Sequence, residues 1–367
     1  MLGVDLHRLV AVSGLVSADV TDGATTLEQQ GGSLSATYYG SFVRGTSVIS
    51  YSGDPLPTLQ VGSNQLLEIS SLFAADQEVS LSLAAASNNL ILKAAGQQAA
   101  IRKIEDVPAT VVTCPPGGIT LDRDSLATEI GLASGFTAAN PHIPVLEGVR
   151  LMAKGGLFLL MAYDGRAGVY RSTLTAVLET PLLPDGDAFD ATVPAKDLKA
   201  AIGVLQGNNV IVQVQRGTDG NPSRVILAGD SAVVHISVIS GVWPDVSPLT
   251  KQVARSTIVL PSDRLQAVLK GAATLGAGQI IFIERQGDGI RLRTKASDLG
   301  VFSLSLDAQS GLDGWPDRIT LDLQCVKLAT SLGRSITFQI GAEDLSVVLV
   351  LGEGTRKYWF QQRVAQE

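Results

Sequence analysis

Residues 319–352 read ITLDLQCVKLATSLGRSITFQIGAEDLSVVLVLG, and this stretch combines a short strand, a helix and further strands. Leu321 belongs to the apolar strand, and Val326 lies five positions later on the apolar side of the helix pattern. After Gly333 apolar and polar residues alternate, which is typical of half-buried strands. The stretch therefore predicts a sheet that is backed by a helix.

The same order occurs twice more. Residues 59–94 read LQVGSNQLLEISSLFAADQEVSLSLAAASNNLILKA, and residues 191–229 read ATVPAKDLKAAIGVLQGNNVIVQVQRGTDGNPSRVILAG. The copies recur at intervals of about 130 residues, which indicates a repeated structural unit. The equivalent strand and helix residues are Val61 and Leu66, Val193 and Leu198, and Leu321 and Val326.

A second helix pattern precedes each copy. These patterns cover residues 5–17, 122–136 and 261–275, with Leu and Val at helical spacing, as in Leu265, Val268 and Leu269. Alternating strands follow two of them, at GLFLLMAYDGRAGVY (156–170) and QIIFIERQGDGIRLRTK (279–295). The sequence therefore predicts an α+β protein of three units, each with two helices and about eight strands.

Composition narrows the function classes. The chain carries 28 basic and 35 acidic residues, a net charge of −7, which argues against an overall basic surface for nucleic acid. Cys114 and Cys325 have no CxxC partner, so neither a disulfide framework nor a zinc knuckle is indicated, and a reducing cytosol is expected. The N-terminal segment is interpreted as an amphipathic helix, and no apolar run suits a transmembrane helix.

The sequence contains no recognised catalytic motif. With only three histidines, the sequence offers no Ser-His-Asp signature, no nucleophile elbow, no Walker A loop and no GxGxxG. Asp164 and Asp245 could be paired carboxylates, but the adjoining Gly165 and Pro244 explain both aspartates as turn residues. We expect no enzyme activity, no metal and no cofactor.

Four stretches carry a resemblance to a known family. They are PVLEGVRLMAKGGLFLLMAYDGRAGVYRST (144–173), VPAKDLKAAIGVL (193–205), SVISGVWPDVSPL (237–249) and RKYWFQQRV (356–364). Their order and spacing resemble those of the bacterial sliding clamp, the beta subunit of DNA polymerase III. The first 115 residues match least, with IRKIEDVP (101–108) the most similar stretch there.

This resemblance implies a ring around duplex DNA. Two chains, each with three clamp domains (1–115, 116–250 and 251–367), join head to tail, with helices lining the hole and sheets outside. The implied role is non-catalytic: the ring tethers a polymerase and makes it processive. The implied partners are DNA polymerase III, the clamp loader and repair proteins, in the cytoplasm at the nucleoid, and no membrane is involved.

The resemblance also implies two sets of site residues. Partner peptides would bind a pocket of Leu146, Tyr163, Asp164, Gly165, Arg166, Gly168, Pro244, Leu249, Trp359, Phe360 and Gln361. Phosphates would meet basic residues on helices: Arg8, Arg123, Lys196, Lys199, Arg264, Lys270, Lys327 and Arg334.

The pocket departs from the family pattern. Gly168 stands where leucine is usual, Pro248 where arginine is common, and Gln361 and Gln362 where an apolar residue and proline are typical. We expect the large Trp359 and Phe360 side chains to fill the volume that Gly168 leaves. The pocket would then prefer a different peptide from the standard one.

Two other interpretations stay open at this stage. The Gly- and Ala-rich composition permits a β-rich structural protein that self-assembles through its repeats. The departures also permit an accessory clamp, such as one carried by a mobile element.

Overall fold

The computed structural model describes most of the 367 residues. It covers residues 1–15, 23–40, 42–84, 87, 89–104, 112–138, 142–154, 156–165, 168–175, 177–178, 189–251, 253–276, 279–306, 312–341 and 347–361. At residues 154, 175, 177, 178 and 361 the description is limited to the backbone.

Helices and strands alternate along the described chain. The helices are α1 Gly3–Val10, α2 Ser63–Ser70, α3 Arg123–Ser134, α4 Ala195–Val204, α5 Ser247–Thr250, α6 Ser262–Leu275 and α7 Leu323–Thr330. The strands are β1 Ala24–Gln30, β2 Ser33–Tyr39, β3 Val43–Ser50, β4 Leu59–Gly62, β5 Ser80–Leu83, β6 Leu90–Ala94, β7 Gln97–Ile101, β8 Lys103–Ile104, β9 Ile119–Asp122, β10 Gly148–Lys154, β11 Leu157–Tyr163, β12 Gly168–Thr175, β13 Val177–Leu178, β14 Phe189–Pro194, β15 Asn209–Arg216, β16 Pro222–Ala228, β17 Ala232–Ser237, β18 Ala254–Pro261, β19 Ile280–Gln286, β20 Gly289–Thr294, β21 Ser303–Leu306, β22 Arg318–Asp322, β23 Ser335–Gly341, β24 Val347–Leu351 and β25 Lys357–Gln361.

The predicted repeat is confirmed in the order of these elements. Each strand–helix pair that the sequence indicated is present, as β4 and α2, β14 and α4, and β22 and α7. The preceding helices are α1, α3 and α6, and α1 continues into a 3₁₀ turn at Ala11–Leu15. The fold is therefore α+β with the threefold recurrence that the sequence predicted.

Two compact units emerge from the packing of the described chain. Unit 1 comprises residues 1–130, 151–157 and 175–239, and unit 2 comprises residues 131–150, 158–174 and 240–367. This division does not coincide with the predicted domain boundaries at 115 and 250, which stay a prediction.

Unit 1 contains one long antiparallel sheet and one short sheet. The long sheet has the strand order β13-β9-β15-β16-β17-β3-β2-β1-β4-β8, and the short sheet has the order β5-β6-β7. The first helix lies over the long sheet, with Leu6, Leu9 and Val10 buried on one side, as the helical spacing requires.

Unit 2 contains the strands that position the candidate site. One run of neighbouring strands is β12-β25-β24-β23-β18, and a separate sheet has the order β21-β20-β19-β22. Helices α6 and α7 pack against each other and against the separate sheet. Asp322 caps α7, because its carboxylate accepts a hydrogen bond from the backbone N–H of Gln324 at 2.8 Å. The longest described helix is α6, with 14 residues, and no described helix is long and apolar enough to cross a membrane.

An aromatic cluster forms part of the core of unit 2. The Phe136 ring stacks on Tyr170 at 4.8 Å and meets the edge of Tyr358 at 4.5 Å, and Tyr358 lies 5.3 Å from Phe360. The Tyr358 hydroxyl donates to the sulfur of Cys325 at 3.5 Å, and burial raises the pKa of Tyr358. The cluster joins the start of β12 and the end of β25 to the segment that follows α3.

Candidate peptide-binding surface

The turn between β11 and β12 begins the candidate surface. The Asp164 backbone N–H donates to the carbonyl of Gly168 at 3.2 Å, and the Gly168 N–H donates to the Asp164 carboxylate at 2.9 Å. Gly165 has a φ of +74°, a conformation that favours glycine. The Asp-Gly turn expected from the sequence is therefore present, with the carboxylate of Asp164 acting as a turn residue.

Gly168 is covered by an aromatic ring. A Cβ atom built on Gly168 would lie 2.4 Å from Cε2 of Tyr358, well inside van der Waals contact. The ring of Tyr358 thus takes the space that a leucine side chain would need. The expectation named Trp359 and Phe360, but the three atoms nearest to this position all belong to Tyr358, which the expectation did not include.

Strand β25 presents its aromatic residues on two faces. Tyr358 and Phe360 are fully buried on the side of the aromatic cluster, and Phe360 pairs with Gly168 in the register of β12. Trp359 pairs with Val169 on one side and Leu349 on the other, so it lies on the opposite face of the sheet. Among the predicted pocket residues, Phe360 therefore lies on the face of the sheet opposite to Trp359, and Gly168 is buried against Tyr358.

Helix α5 is a neighbour of the strand that carries Trp359. It packs against β25, and Trp359 is only 3% exposed. The carboxylate of Asp245 accepts a hydrogen bond from the N–H of Ser247 at 2.9 Å, and hydrogen bonds from the side chain and the backbone of Ser247 hold the pKa of Asp245 below its usual value. Pro244 and Leu249 in this segment are half-buried, so both retain apolar surface that a ligand can contact.

The other predicted pocket residues lie at the β11–β12 turn. Leu146 is buried beneath Gly165, since a Cβ atom on Gly165 would lie 2.6 Å from Cδ1 of Leu146. Tyr163 is half-buried, and burial and the charge of Asp164 both raise the pKa of its hydroxyl. Arg166 lies outside the described residues, and Gln361 is described by its backbone alone.

Two apolar residues that were not among the predicted pocket residues, Val242 and Trp243, directly precede Pro244 in the chain. Val242 is 91% exposed, and the guanidinium of Arg150 lies over the Trp243 ring at 5.6 Å. Both belong to unit 2. Val242 and Trp243 lie in the stretch SVISGVWPDVSPL (237–249), and their proximity to Pro244 is the sequence signal that identifies them. Arg150 had no local signal, because its partner ring is 93 positions away in the chain.

The predicted phosphate-contacting residues divide equally between the two units. In unit 1, Lys196 and Lys199 are exposed on α4, whereas Arg123 donates to the Leu205 carbonyl and to Asp124, and Arg8 lies 3.8 Å from Asp5. In unit 2, the exposed cations on helices are Arg264, Lys270 and Lys327.

Arg334 differs from the other candidates. It lies after the end of α7, in the turn before β23, and its backbone N–H donates to Glu353. The expectation that it lies on a helix is therefore wrong.

Comparisons with solved structures identify the fold of the chain. No protein-family model matches the chain, and no curated protein matches its sequence. Among solved structures, DNA polymerase III subunit beta from Pseudomonas aeruginosa is similar with a TM-score of 0.81 at 15% identity, over 100% of this chain and 99% of that one.

Two further structures agree with this comparison. DNA polymerase III beta subunit from Thermotoga maritima gives a TM-score of 0.82 at 14% identity, over 100% of this chain and 99% of that one. The Helicobacter pylori beta clamp bound to DNA ligase peptide gives 0.79 at 14% identity, with the same coverage. The chain therefore has the fold of the bacterial DNA polymerase III beta sliding clamps.

Proposed function

We propose that this chain is a DNA sliding clamp that encircles duplex DNA and tethers partner proteins to it. The observation that carries the proposal is the likeness to clamp subunits over the full length of both chains, with TM-scores near 0.8. A match confined to one domain would permit many functions, whereas a whole-chain match includes the complete set of helices and sheets that a ring subunit needs. The role is non-catalytic and belongs in the cytoplasm at the nucleoid.

The ring is formed by two copies in a head-to-tail arrangement. Each unit has a small sheet whose end strand pairs on one side only among the described residues, β7 in unit 1 and β21 in unit 2. Edge strands can pair with another chain, and a contact between unlike surfaces can close into a ring. Solution mass tests this step: a mass of two chains supports the ring, and a large open assembly favours the structural β-protein instead.

DNA contacts come from lysine and arginine residues on the helices. The exposed residues are Lys196 and Lys199 on α4, Arg264 and Lys270 on α6, and Lys327 on α7. Such contacts carry no sequence preference and weaken with salt, which suits a ring that must slide. In the double variant Lys196→Ala with Lys199→Ala, the slope of log K against log salt should fall by about 2, because each lost phosphate contact removes about 0.9. Lys93→Ala with Lys251→Ala is the charge-matched control away from the long helices.

Topological retention tests the whole proposal. The chain is loaded onto nicked circular DNA with a bacterial clamp loader, and the circle is then cut once. A clamp stays on the circle and leaves the linear product, so the bound fraction should collapse after cutting. Equal retention on circular and linear DNA would contradict encirclement.

Partner peptides bind the Trp359 face in this proposal. Half-buried Tyr163, Pro244 and Leu249 offer apolar contacts beside the backbone of the β11–β12 turn, which suits a short peptide with apolar anchors. Expected partners are the DNA polymerase III catalytic subunit, the clamp loader and repair proteins. The Helicobacter pylori clamp provides a probe, since its structure holds a DNA ligase peptide.

A labelled copy of that ligase peptide should bind this chain, and Leu249→Ser should weaken the binding by about tenfold or more. Leu72→Ser is the matched control, because Leu72 is 66% exposed and belongs to unit 1. Equal affinity in the two variants would move the peptide site away from α5. The loading experiment is independent of this result, so the peptide site can fail while the clamp function stands.

A further inference from the structure

The repeated architecture gives unit 1 a counterpart of the candidate peptide surface. In unit 2 the strand that follows the β11–β12 turn, β12, pairs in antiparallel register with β25. In unit 1 the strand that follows the β2–β3 turn, β3, pairs in the same way with β17. The turns correspond as well, because the Gly40 N–H donates to the Val43 carbonyl as the Asp164 N–H donates to that of Gly168. The strands β3 and β17 therefore have the places in unit 1 that β12 and β25 have in unit 2.

Charged residues replace apolar ones on this counterpart. Arg44 pairs with His235 in the register of β3 and β17. Val169 pairs with Trp359 in the register of β12 and β25, and Arg44 and Val169 are each the second residue of their strand. The pair of an arginine and a histidine thus stands where unit 2 has a pair of valine and tryptophan.

The side chain of Arg44 lies on the side of the sheet away from α1 and its 3₁₀ turn. A Cβ atom on the adjacent Gly45 would lie 2.6 Å from Cδ1 of Leu15 in that turn, so the opposite side of β3 is the packed one. The residues that share the side of Arg44 near the start of β3 form a surface that we call the unit 1 face. It consists of Phe42, Arg44, Arg224, His235 and Ser237.

The two arginines of the unit 1 face have no acidic partner. Neither Arg44 nor Arg224 forms an ion pair among the described residues, and the residues on this side of β2, β3, β16 and β17 include no acid. Arg44 is exposed, and its guanidinium lies 5.8 Å from the ring centre of Tyr39, which orients the group without neutralising it. The face therefore carries two positive charges, in a chain whose net charge is −7.

His235 joins the face to the segment that precedes β9. Its Nε2 donates to the carbonyl of Thr113 at 3.0 Å. Burial lowers the pKa of His235, the bond to Thr113 opposes this effect, and the charges of Arg224 and Arg44 lower the pKa further. The imidazole is therefore neutral near pH 7, and the positive charge of the face comes from the two arginines.

An exposed aromatic ring adds an apolar contact to the face. Phe42 is 61% exposed, and its carbonyl accepts a hydrogen bond from the N–H of Ser237 at 2.7 Å, which extends the pairing of β3 and β17 by one step. Arg44 follows two positions later, about 7 Å along the strand, and Arg224 lies two strands away, about 10 Å across the sheet. Arginine and aromatic side chains are common anchors of protein recognition surfaces.

We propose that the unit 1 face binds an extended acidic segment of a partner protein that also carries an apolar residue. This site goes beyond the proposed tethering through unit 2. Arg44 and Arg224 are about 10 Å apart across the sheet and about 7 Å along it, or about 12 Å in all. Carboxylates four positions apart in an extended chain are about 13 Å apart, so one segment can reach both arginines. The apolar residue between them contacts Phe42.

Nucleic acid suits the unit 1 face less well. Two arginines supply two phosphate contacts, whereas strong electrostatic binding uses roughly six to ten. Single strands are held by successive aromatic rings, and Phe42 is the one ring of this face. A peptide with two carboxylates and an apolar residue uses every group that the face offers.

The test uses the full chain and a labelled peptide, Glu-Ser-Glu-Ser-Leu-Ser-Glu-Ser-Glu, followed by fluorescence anisotropy. Arg44→Gln with Arg224→Gln should weaken binding by about tenfold, since two charge-assisted contacts are lost. Phe42→Ser should weaken it by about threefold, because the contact with the leucine is lost. A peptide with Gln in place of every Glu should bind at least about tenfold more weakly.

Each variant has a matched control. Arg216→Gln with Arg285→Gln removes the same charge elsewhere and should leave the affinity within about twofold. Leu72→Ser changes an apolar residue that is 66% exposed and should have no effect on the acidic peptide. Leu249→Ser, which tests the peptide surface of unit 2, should also leave this affinity unchanged, so the two sites can fail separately.

Several results would overturn the inference. They are absence of binding by the Glu peptide, equal binding of the Glu and Gln peptides, equal weakening in the two double variants, or tighter binding of a dT oligonucleotide through the same arginines. A change of solution mass in Arg44→Gln with Arg224→Gln would assign the face to contact between copies instead. If that variant does not fold, Arg44→Gln alone, at an exposed residue, should weaken binding by about threefold, and an unchanged affinity would reject the inference.

Discussion

The two faces of strand β25 carry adjacent aromatic residues in unlike surroundings. On one face Tyr358 and Phe360 are fully buried and join the rings of Phe136 and Tyr170. On the other face Trp359 is 3% exposed on a strand against which α5 packs, and its indole N–H has no hydrogen-bond partner among the described residues. The face of Tyr358 and Phe360 is a packed aromatic core. The face of Trp359 instead contains an indole N–H without a hydrogen-bond partner, on a strand that contacts α5, a helix of only four residues.

The difference between the two faces of β25 predicts that one face contributes mainly to stability and the other mainly to peptide recognition. A ring inside a cluster of rings gains its free energy from packing, which is lost when it is truncated. A buried donor without an acceptor costs free energy in the unbound chain. We therefore expect substitutions at Phe360 to change mainly the free energy of unfolding, and substitutions at Trp359, which is only 3% exposed, to change peptide affinity indirectly, through α5, which packs against β25.

The largest expected effect is at Phe360. Phe360→Ala removes a fully buried ring and should lower the free energy of unfolding by about 3–5 kcal/mol. Urea unfolding followed by circular dichroism measures the change. A loss below about 1 kcal/mol would show that Phe360 does not belong to the core, and would remove the distinction between the faces.

Gly168 gives the next largest effect. Gly168→Leu places a side chain where the Tyr358 ring lies 2.4 Å from the position of Cβ, and should cost about 1–3 kcal/mol in unfolding free energy. In a Tyr358→Ala background the same leucine should cost less, because the space is then open. A double-mutant cycle with no coupling between the two positions would contradict this contact.

The repeated architecture could be predicted from the sequence because it depends on local periodicity. Helical spacing in residues 261–275 and alternation in residues 279–295 indicate a helix and strands without reference to distant residues. The Asp164-Gly165 turn was predictable for the same reason, since its hydrogen bonds join residues four positions apart. These elements account for most of the fold that the structure describes.

The surface was harder to predict, because its contacts join distant positions. A side chain at position 168 would clash with the ring of Tyr358, which is 190 positions away in the chain. The guanidinium of Arg150 lies over the ring of Trp243, and no local sequence pattern indicates this contact. The grouping of Trp359 with Phe360 was avoidable, since adjacent residues of a strand point to opposite faces. The resemblance located the segments of the surface, but the direction of each side chain required the sheet register.

The smaller effect on stability is expected at Trp359. Trp359→Phe loses ring volume but also removes the indole N–H that lacks a partner, so the two contributions to unfolding free energy oppose each other. We expect a net change within about 1 kcal/mol, together with about tenfold weaker binding of the ligase peptide. A loss of stability as large as that of Phe360→Ala, with peptide affinity unchanged, would show that Trp359 stabilises the fold and has no part in the peptide site.

The smallest expected effect is the pH dependence of stability that comes from Asp245, which precedes α5. The pKa of Asp245 is lowered by its hydrogen bonds to Ser247, so its contribution to stability is present above the unfolded value near 3.8 and is lost as pH falls through the folded value. Asn at position 245 can accept the same bond from the Ser247 N–H but does not titrate. Wild type should therefore lose slightly more stability than Asp245→Asn between pH 5 and about pH 3, as measured by thermal unfolding. Parallel pH profiles of thermal unfolding for the two proteins would show that the hydrogen bonds between Asp245 and Ser247 do not stabilise this segment.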